Sequence, residues 1–135
     1  MTKAIRIHET GGPEVLAYED VEVGAPGPGE ALLHQTAVGL NFIDIYYRLG
    51  LYPIPSMPVT LGVEAAGTVE AVGDGVSDIQ VGDRVAYAPV LGAYAARRVI
   101  AADRLVKLPD VISANEAAAM MLQGLTAQYL ARRCY

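Results

Sequence analysis

The sequence predicts a mainly β fold with some helix: a barrel of about seven short strands, one short embedded helix and two helices at the end. The 14 glycines and 8 prolines separate many short apolar stretches, which is typical of a turn-rich β architecture rather than a helix bundle. Hydrophobic residues make up 53% of the 135 residues, which is enough to form a folded core. Helical periodicity is confined to residues 41–49 and to the stretch after residue 113.

The strands are predicted from short apolar or alternating segments that end at Gly, Pro or Asp-Gly turns. Alternation of apolar and polar residues predicts the first strand at residues 4–8. The three prolines of residues 52–58 predict a loop. The remaining strands are expected at residues 16–23, 30–39, 63–72, 84–88, 93–101 and 105–108.

The helices are predicted from apolar spacing and from capping residues. Phe42, Ile45, Tyr46 and Leu49 recur at helical spacing, and Gly50 is expected to close this helix. The Ser-Ala-Asn-Glu sequence at 113–116 is a capping box that starts the next helix. Gly124 is expected to break or bend that helix, and a second helix is predicted over residues 126–133. This divides the chain into a barrel, residues 1–112, and a helical connection, residues 113–135.

Charge and cysteine content exclude several classes of function. The net charge is −5 and the sequence has no basic stripe, so a nucleic-acid partner is not expected. Cys134 is the only cysteine, which precludes an internal disulfide and favours the reducing cytoplasm. No apolar run approaches membrane-spanning length, so no membrane partner is expected either.

Seven short segments follow one another in the order found in one enzyme family. The chain thereby resembles the zinc-free medium-chain dehydrogenases/reductases, in particular the bacterial NADPH:quinone oxidoreductases, which are zeta-crystallin-like. The segments are GGPEVL at 11–16, VGLNFID at 38–44, GLYP at 50–53, LGVEAAG at 61–67, VGDRV at 81–85, LGAY at 91–94 and QGLTA at 123–127.

The resemblance implies a GroES-like barrel as the first domain of a two-domain reductase that transfers a hydride from NADPH to a small-molecule quinone. The second domain of such reductases is a Rossmann fold that binds most of the NADPH, and the full-length proteins are usually homodimers. No Gly-rich phosphate loop between a strand and a helix occurs here, so the Rossmann half is expected to be absent from this chain. The isolated chain is then expected to be inactive.

Two other functions remain open. Zinc-free enoyl and alkenal reductases share the barrel that the resemblance implies and use the same hydride donor. A truncated, inactive barrel or a non-enzymatic binding module is the third possibility. None of the residues distinguishes a quinone from an alkenal as the acceptor.

Zinc is not expected, because the ligand positions of the related zinc enzymes hold other residues. By the resemblance, Asn41 replaces a cysteine ligand and Val63 replaces a histidine ligand. Zinc requires thiolate, imidazole or carboxylate ligands, which neither residue supplies. Neither histidine, His8 or His34, lies in a ligand motif. Glu64 is expected to be structural or to pair with an arginine such as Arg48.

The resemblance also implies the site residues. Asn41, Gln123 and Thr126 are expected to contact the cofactor; Asn41 and Thr126 would equally serve as helix N-caps. Tyr46 and Tyr52 are expected to bind the substrate, although its spacing alone would assign Tyr46 to the core. No catalytic residue is assigned, because the nicotinamide itself carries the reactive hydride.

Overall fold

The computed structural model describes residues 1–134, which form eight strands and two α-helices. The first two strands precede the long third one, and a short helix follows it directly. The elements are β1 (Thr2–Ile7), β2 (Ala17–Val21), β3 (Glu30–Gly39), α1 (Phe42–Arg48), β4 (Val59–Thr60), β5 (Glu64–Val72), β6 (Arg84–Tyr87), β7 (Arg97–Ala101), β8 (Val106–Lys107) and α2 (Ala114–Tyr129).

The strands form two antiparallel sheets. One has the order β2-β1-β4 and the other the order β7-β3-β5-β6-β8. An isolated bridge between Ala4 and Ala95 joins them. The main core is built from inward-facing residues of the larger sheet, including Leu33, Val69 and Tyr87. The mainly β prediction is confirmed. The sequence does not predict the short strand β4, because it directly follows the proline-rich stretch that predicts a loop.

The prediction of two separate helices at the end is wrong. A single helix, α2, runs through Gly124 to Tyr129, and a π-helical turn from Leu130 to Cys134 follows it. Glycine in a helix costs about 1 kcal/mol relative to alanine, and tertiary packing readily overrides that preference. Thr126 therefore lies inside α2 and is not an N-cap. Ser113 caps α2, as predicted, through a capping box with Glu116.

Small residues let α2 lie close against the larger sheet. Ala117 and Ala118 of the helix are buried against Ala66 of β5 and Ala86 of β6. At Gly39, the last residue of β3, an added Cβ would lie 2.4 Å from the backbone oxygen of Ala118. The helix and the end of β3 are thus in backbone contact. No helix in the described part of the chain is long and apolar enough to cross a membrane.

Candidate functional site

Two of the predicted site residues meet where the end of β3 lies against α2. Asn41 stands at the N-cap position of α1, immediately after β3, and its side-chain oxygen accepts a hydrogen bond of 3.0 Å from Nε2 of Gln123. These residues are 82 positions apart in sequence. A cleft of about 390 Å³ opens beside them, lined by residues 37–40, Glu64, Asn115, Ala118, Ala119 and Gln123.

A fully buried carboxylate, that of Glu64, fixes the other end of the Asn41 amide. Its Oε2 accepts a 2.9 Å hydrogen bond from Nδ2 of Asn41, and its Oε1 accepts a 2.7 Å bond from the backbone N–H of Leu122 in α2. Of the two alternatives for Glu64, the pairing with Arg48 does not occur, because Arg48 donates to the carbonyl of Gly11 instead. Within residues 1–134 no lysine, arginine or histidine forms an ion pair with Glu64.

Thr126 lies one turn beyond Gln123 on α2. Its hydroxyl donates a 2.8 Å hydrogen bond to the carbonyl of Leu122, four residues earlier. Leu122 therefore donates its N–H to Glu64 and accepts from Thr126 through its carbonyl. Thr126 is exposed and remains able to accept a hydrogen bond from a ligand.

The two predicted substrate-binding tyrosines form a separate cluster at the far end of α1. Gly50, with φ of +76°, reverses the chain after the helix, and the N–H of Tyr52 bonds to the carbonyl of Tyr46. The rings of Tyr46 and Tyr52 pack edge to face with centroids 5.7 Å apart, and Tyr47 also contacts Tyr52 at 5.7 Å. Tyr46 and Tyr52 are 39% and 44% exposed, so Tyr46 is not a core residue.

A second buried carboxylate anchors the start of α1. Oδ2 of Asp44 accepts from the backbone N–H of Asn41 at 2.8 Å and from the hydroxyl of Tyr94 at 2.7 Å. Its buried Oδ1 has no hydrogen-bond partner among residues 1–134. Burial raises the pKa of Asp44, partly opposed by these two bonds. Burial, together with the bond to Asp44, also raises the pKa of Tyr94. This pair ties α1 to the loop before β7.

Sequence reasoning did not identify Glu64 or the Leu122 N–H as part of the site. The useful signal was the Gly-Leu-Asn of residues 39–41, because only a residue without a side chain fits between Glu64 and α2. Within residues 1–134 no group of three or more His, Cys, Asp or Glu side chains is placed to hold a metal ion. The absence of zinc and the roles of the five predicted site residues stay predictions.

Comparison with known proteins places the fold. Residues 27–129 match the family described as the alcohol dehydrogenase GroES-like domain. A quinone oxidoreductase of Pseudomonas aeruginosa is 55% identical over the whole chain, which covers 42% of that protein. A 2-haloacrylate reductase of Burkholderia sp. is 45% identical over 96% of the chain and 41% of its own length.

A solved structure agrees in detail. The Escherichia coli quinone oxidoreductase complexed with NADPH superimposes with a TM-score of 0.96 at 48% identity, over 98% of this chain and 41% of that one. The chain thus spans about two-fifths of the length of the proteins it resembles.

Proposed function

The chain belongs to the alcohol dehydrogenase GroES-like domain family, and on this premise we propose that it forms the substrate side of an NADPH-dependent quinone oxidoreductase. Hydride transfer to a quinone would need a second, nucleotide-binding part, which corresponds to the length of the relatives that this chain does not span. The contact between Asn41 and Gln123 carries the proposal, because it joins two of the three predicted cofactor residues.

The polar groups beside the cleft fit a nicotinamide nucleoside. Asn41 uses one of its two N–H groups on Glu64 and one oxygen lone pair on Gln123. Within residues 1–134 the other N–H of Asn41 and the oxygen of Gln123 have no hydrogen-bond partner, so they could bind ribose hydroxyls or a carboxamide. Asn41, Gln123 and Thr126 would therefore hold the nicotinamide end of the cofactor, and NADPH supplies the hydride when it is bound.

The tyrosine cluster supplies a surface for a flat acceptor. The half-exposed rings of Tyr46 and Tyr52 can stack on a quinone, and their hydroxyls can donate to its carbonyl oxygens. Exposed Phe42, one turn before Tyr46 on the same face of α1, extends this apolar surface toward Asn41. Since a quinone is already electrophilic, positioning and the exclusion of water are the main tasks left to the protein.

Reduction of an activated alkene is the second candidate function. The similarity to a 2-haloacrylate reductase favours it, since the same surface would orient a conjugated alkene beside the hydride donor. With either acceptor, we also propose that the whole protein is cytoplasmic and forms a homodimer, as the resemblance implies. The single cysteine supports the location.

A fusion protein tests the proposal. The matching segment of the Pseudomonas aeruginosa quinone oxidoreductase would be replaced by this chain, and NADPH oxidation would be measured with a benzoquinone and with an α,β-unsaturated aldehyde. We expect turnover that is faster with the quinone. A faster rate with the aldehyde would favour the alkene reductase, and no turnover by a folded fusion that binds NADPH would refute both.

A matched pair of variants assigns the site within that fusion. Gln123→Ala should raise the KM for NADPH several-fold, because it removes one hydrogen-bonding group from the nicotinamide side. Gln128→Ala changes the same residue type five positions later on α2 and should leave the KM unchanged. Equal effects of the two variants would remove Gln123 from the site.

A further inference from the structure

Four groups form a continuous hydrogen-bonded chain from the interior of the protein to the cleft. The Leu122 N–H donates to Glu64, Asn41 donates to Glu64 through Nδ2, and Gln123 donates to Asn41 through Nε2. An Asn or Gln amide has a donor end and an acceptor end, and it satisfies its partners in only one of two orientations. The direction of every bond in this chain therefore depends on the group at its buried end.

At the buried end, the donor and acceptor roles of Leu122 and Glu64 cannot be exchanged. A backbone N–H such as that of Leu122 only donates, and a carboxylate only accepts. Asn41 must therefore turn its NH₂ toward Glu64, which leaves its oxygen to accept from Gln123. Gln123 must then turn its NH₂ toward Asn41, and this leaves its carbonyl oxygen, Oε1, facing the cleft.

We propose that Glu64 is a positioning residue that sets this polarity, so that Gln123, which lines the cleft, presents its acceptor oxygen there and Asn41 keeps its second N–H available beside the cleft. A group that offers an O–H or N–H donor next to an acceptor fits this pattern. The ribose hydroxyls and the carboxamide of a nicotinamide nucleoside are such groups. The identity of this ligand rests on the proposed function, whereas the polarity does not.

We expect the isosteric substitution Glu64→Gln to reverse the direction of the hydrogen bonds that join residue 64, Asn41 and Gln123. Leu122 still requires an acceptor, so the new glutamine must turn its oxygen to Leu122 and its NH₂ to Asn41. Asn41 then rotates to accept from residue 64 and to donate to Gln123, which rotates in turn. Every buried group keeps a partner, so the variant should fold, but Gln123 now presents NH₂ to the cleft.

A second variant keeps the proposal testable if Glu64→Gln is unstable. Gln123→Glu changes an exposed residue and places a second carboxylate beside the oxygen of Asn41. Combining it with Glu64→Gln restores a complete chain of opposite polarity, from residue 64 through Asn41 to residue 123. Gln123→Glu should therefore lower the melting temperature of the unmodified chain more than it lowers that of Glu64→Gln. Equal effects of Gln123→Glu in the two backgrounds would overturn the proposal.

Nuclear magnetic resonance of the 135-residue chain reads the polarity directly. In the unmodified chain the Asn41 NH₂ protons and the Leu122 amide proton point at the same carboxylate, so they should give a cross-peak. In Glu64→Gln, that cross-peak should disappear and the Asn41 NH₂ protons should instead contact the side chain of Gln123. An unchanged pattern in a folded variant would overturn the proposal, because a purely space-filling Glu64 predicts no reversal.

The fusion protein described above tests the consequence for the cofactor. Glu64→Gln should raise the KM for NADPH about tenfold with little change in kcat, because an acceptor is exchanged for a donor where the cofactor donates. Reversed polarity with an unchanged KM would overturn the positioning role. A fusion without any reductase activity would refute the proposed function alone, because the spectrum of the 135-residue chain still decides the polarity.

Discussion

Replacing Asn41 with aspartate tests the contact with Glu64 through electrostatics. The substitution preserves shape but exchanges a donor, 2.9 Å from Oε2 of Glu64, for a second carboxylate. Two like charges about 4 Å apart repel by about 4 kcal/mol at an effective dielectric constant of about 20. The folded protein can avoid this repulsion only by binding a proton at one of the two groups.

Proton uptake limits the penalty and makes it depend on pH. Holding a proton at pH 7 on a group with an unperturbed pKa of about 4 costs about 4 kcal/mol, and the cost falls by about 1.4 kcal/mol for each pH unit below that. The pair therefore has a folded-state pKa raised above its unfolded value. The stability deficit of Asn41→Asp should be about 3–4 kcal/mol at pH 7, about 1–2 kcal/mol at pH 5, and small near pH 4.

Urea-induced unfolding at these three pH values, compared with the unmodified chain, measures the deficit. Asn115→Asp is the matched control, because Asn115 is exposed in the first turn of α2, where an added negative charge is neutral or slightly stabilising. A deficit for Asn41→Asp that is small at pH 7, or that does not shrink as the pH falls, would show that residue 41 is not in contact with the Glu64 carboxylate.

Two further pairs of variants test the packing and the second carboxylate. Gly39→Ala should lower the unfolding free energy by about 1–3 kcal/mol, because its Cβ would lie 2.4 Å from the Ala118 oxygen. Gly124→Ala should raise the unfolding free energy by about 1 kcal/mol, because the nearest atom to its Cβ is a methyl carbon 3.8 Å away. Similar effects of the two variants in calorimetry would contradict the close approach of Gly39 to Ala118. Because burial raises the pKa of Asp44, its charge destabilises the fold increasingly as pH rises through that value, so Asp44→Asn should gain stability relative to the parent between pH 4 and pH 7. The pKa of Asp83 is lowered by its bond to Lys107, so its contribution to stability is lost only as the pH falls below about 4. Asp83→Asn should therefore show no such gain between pH 4 and pH 7 in the same urea titrations, and a gain that parallels that of Asp44→Asn would refute the assignment.

The strands and α1 could be predicted because their determinants are local. Alternation along β1 and the apolar spacing of Phe42, Ile45 and Leu49 mark each element within a few residues. The continuity of α2 through Gly124 could not, because it depends on contacts with β5 and on the bond from Leu122 to Glu64. Local propensity describes only the cost of the glycine, not what offsets it.

The candidate site also has features that the sequence predicts and features that it does not. The family resemblance implies Asn41 and Gln123 as two individual site residues, but no spacing rule predicts that residues 82 positions apart are in contact. The helical spacing of Tyr46 assigns it to the core, but it is 39% exposed and its ring packs against Tyr52, which the chain reversal after α1 brings back to it. The role of Glu64 follows only from the direction of hydrogen bonds in three dimensions, which a one-dimensional pattern does not contain.

A crystal structure of the fusion protein with bound NADP⁺ tests the central claim most directly. The account predicts that the nicotinamide nucleoside lies in the cleft beside α2, with a donor group within about 3 Å of the side-chain oxygen of Gln123 and an acceptor near Asn41. A nicotinamide placed elsewhere, with Asn41 and Gln123 bound only to each other and to Glu64, would contradict it.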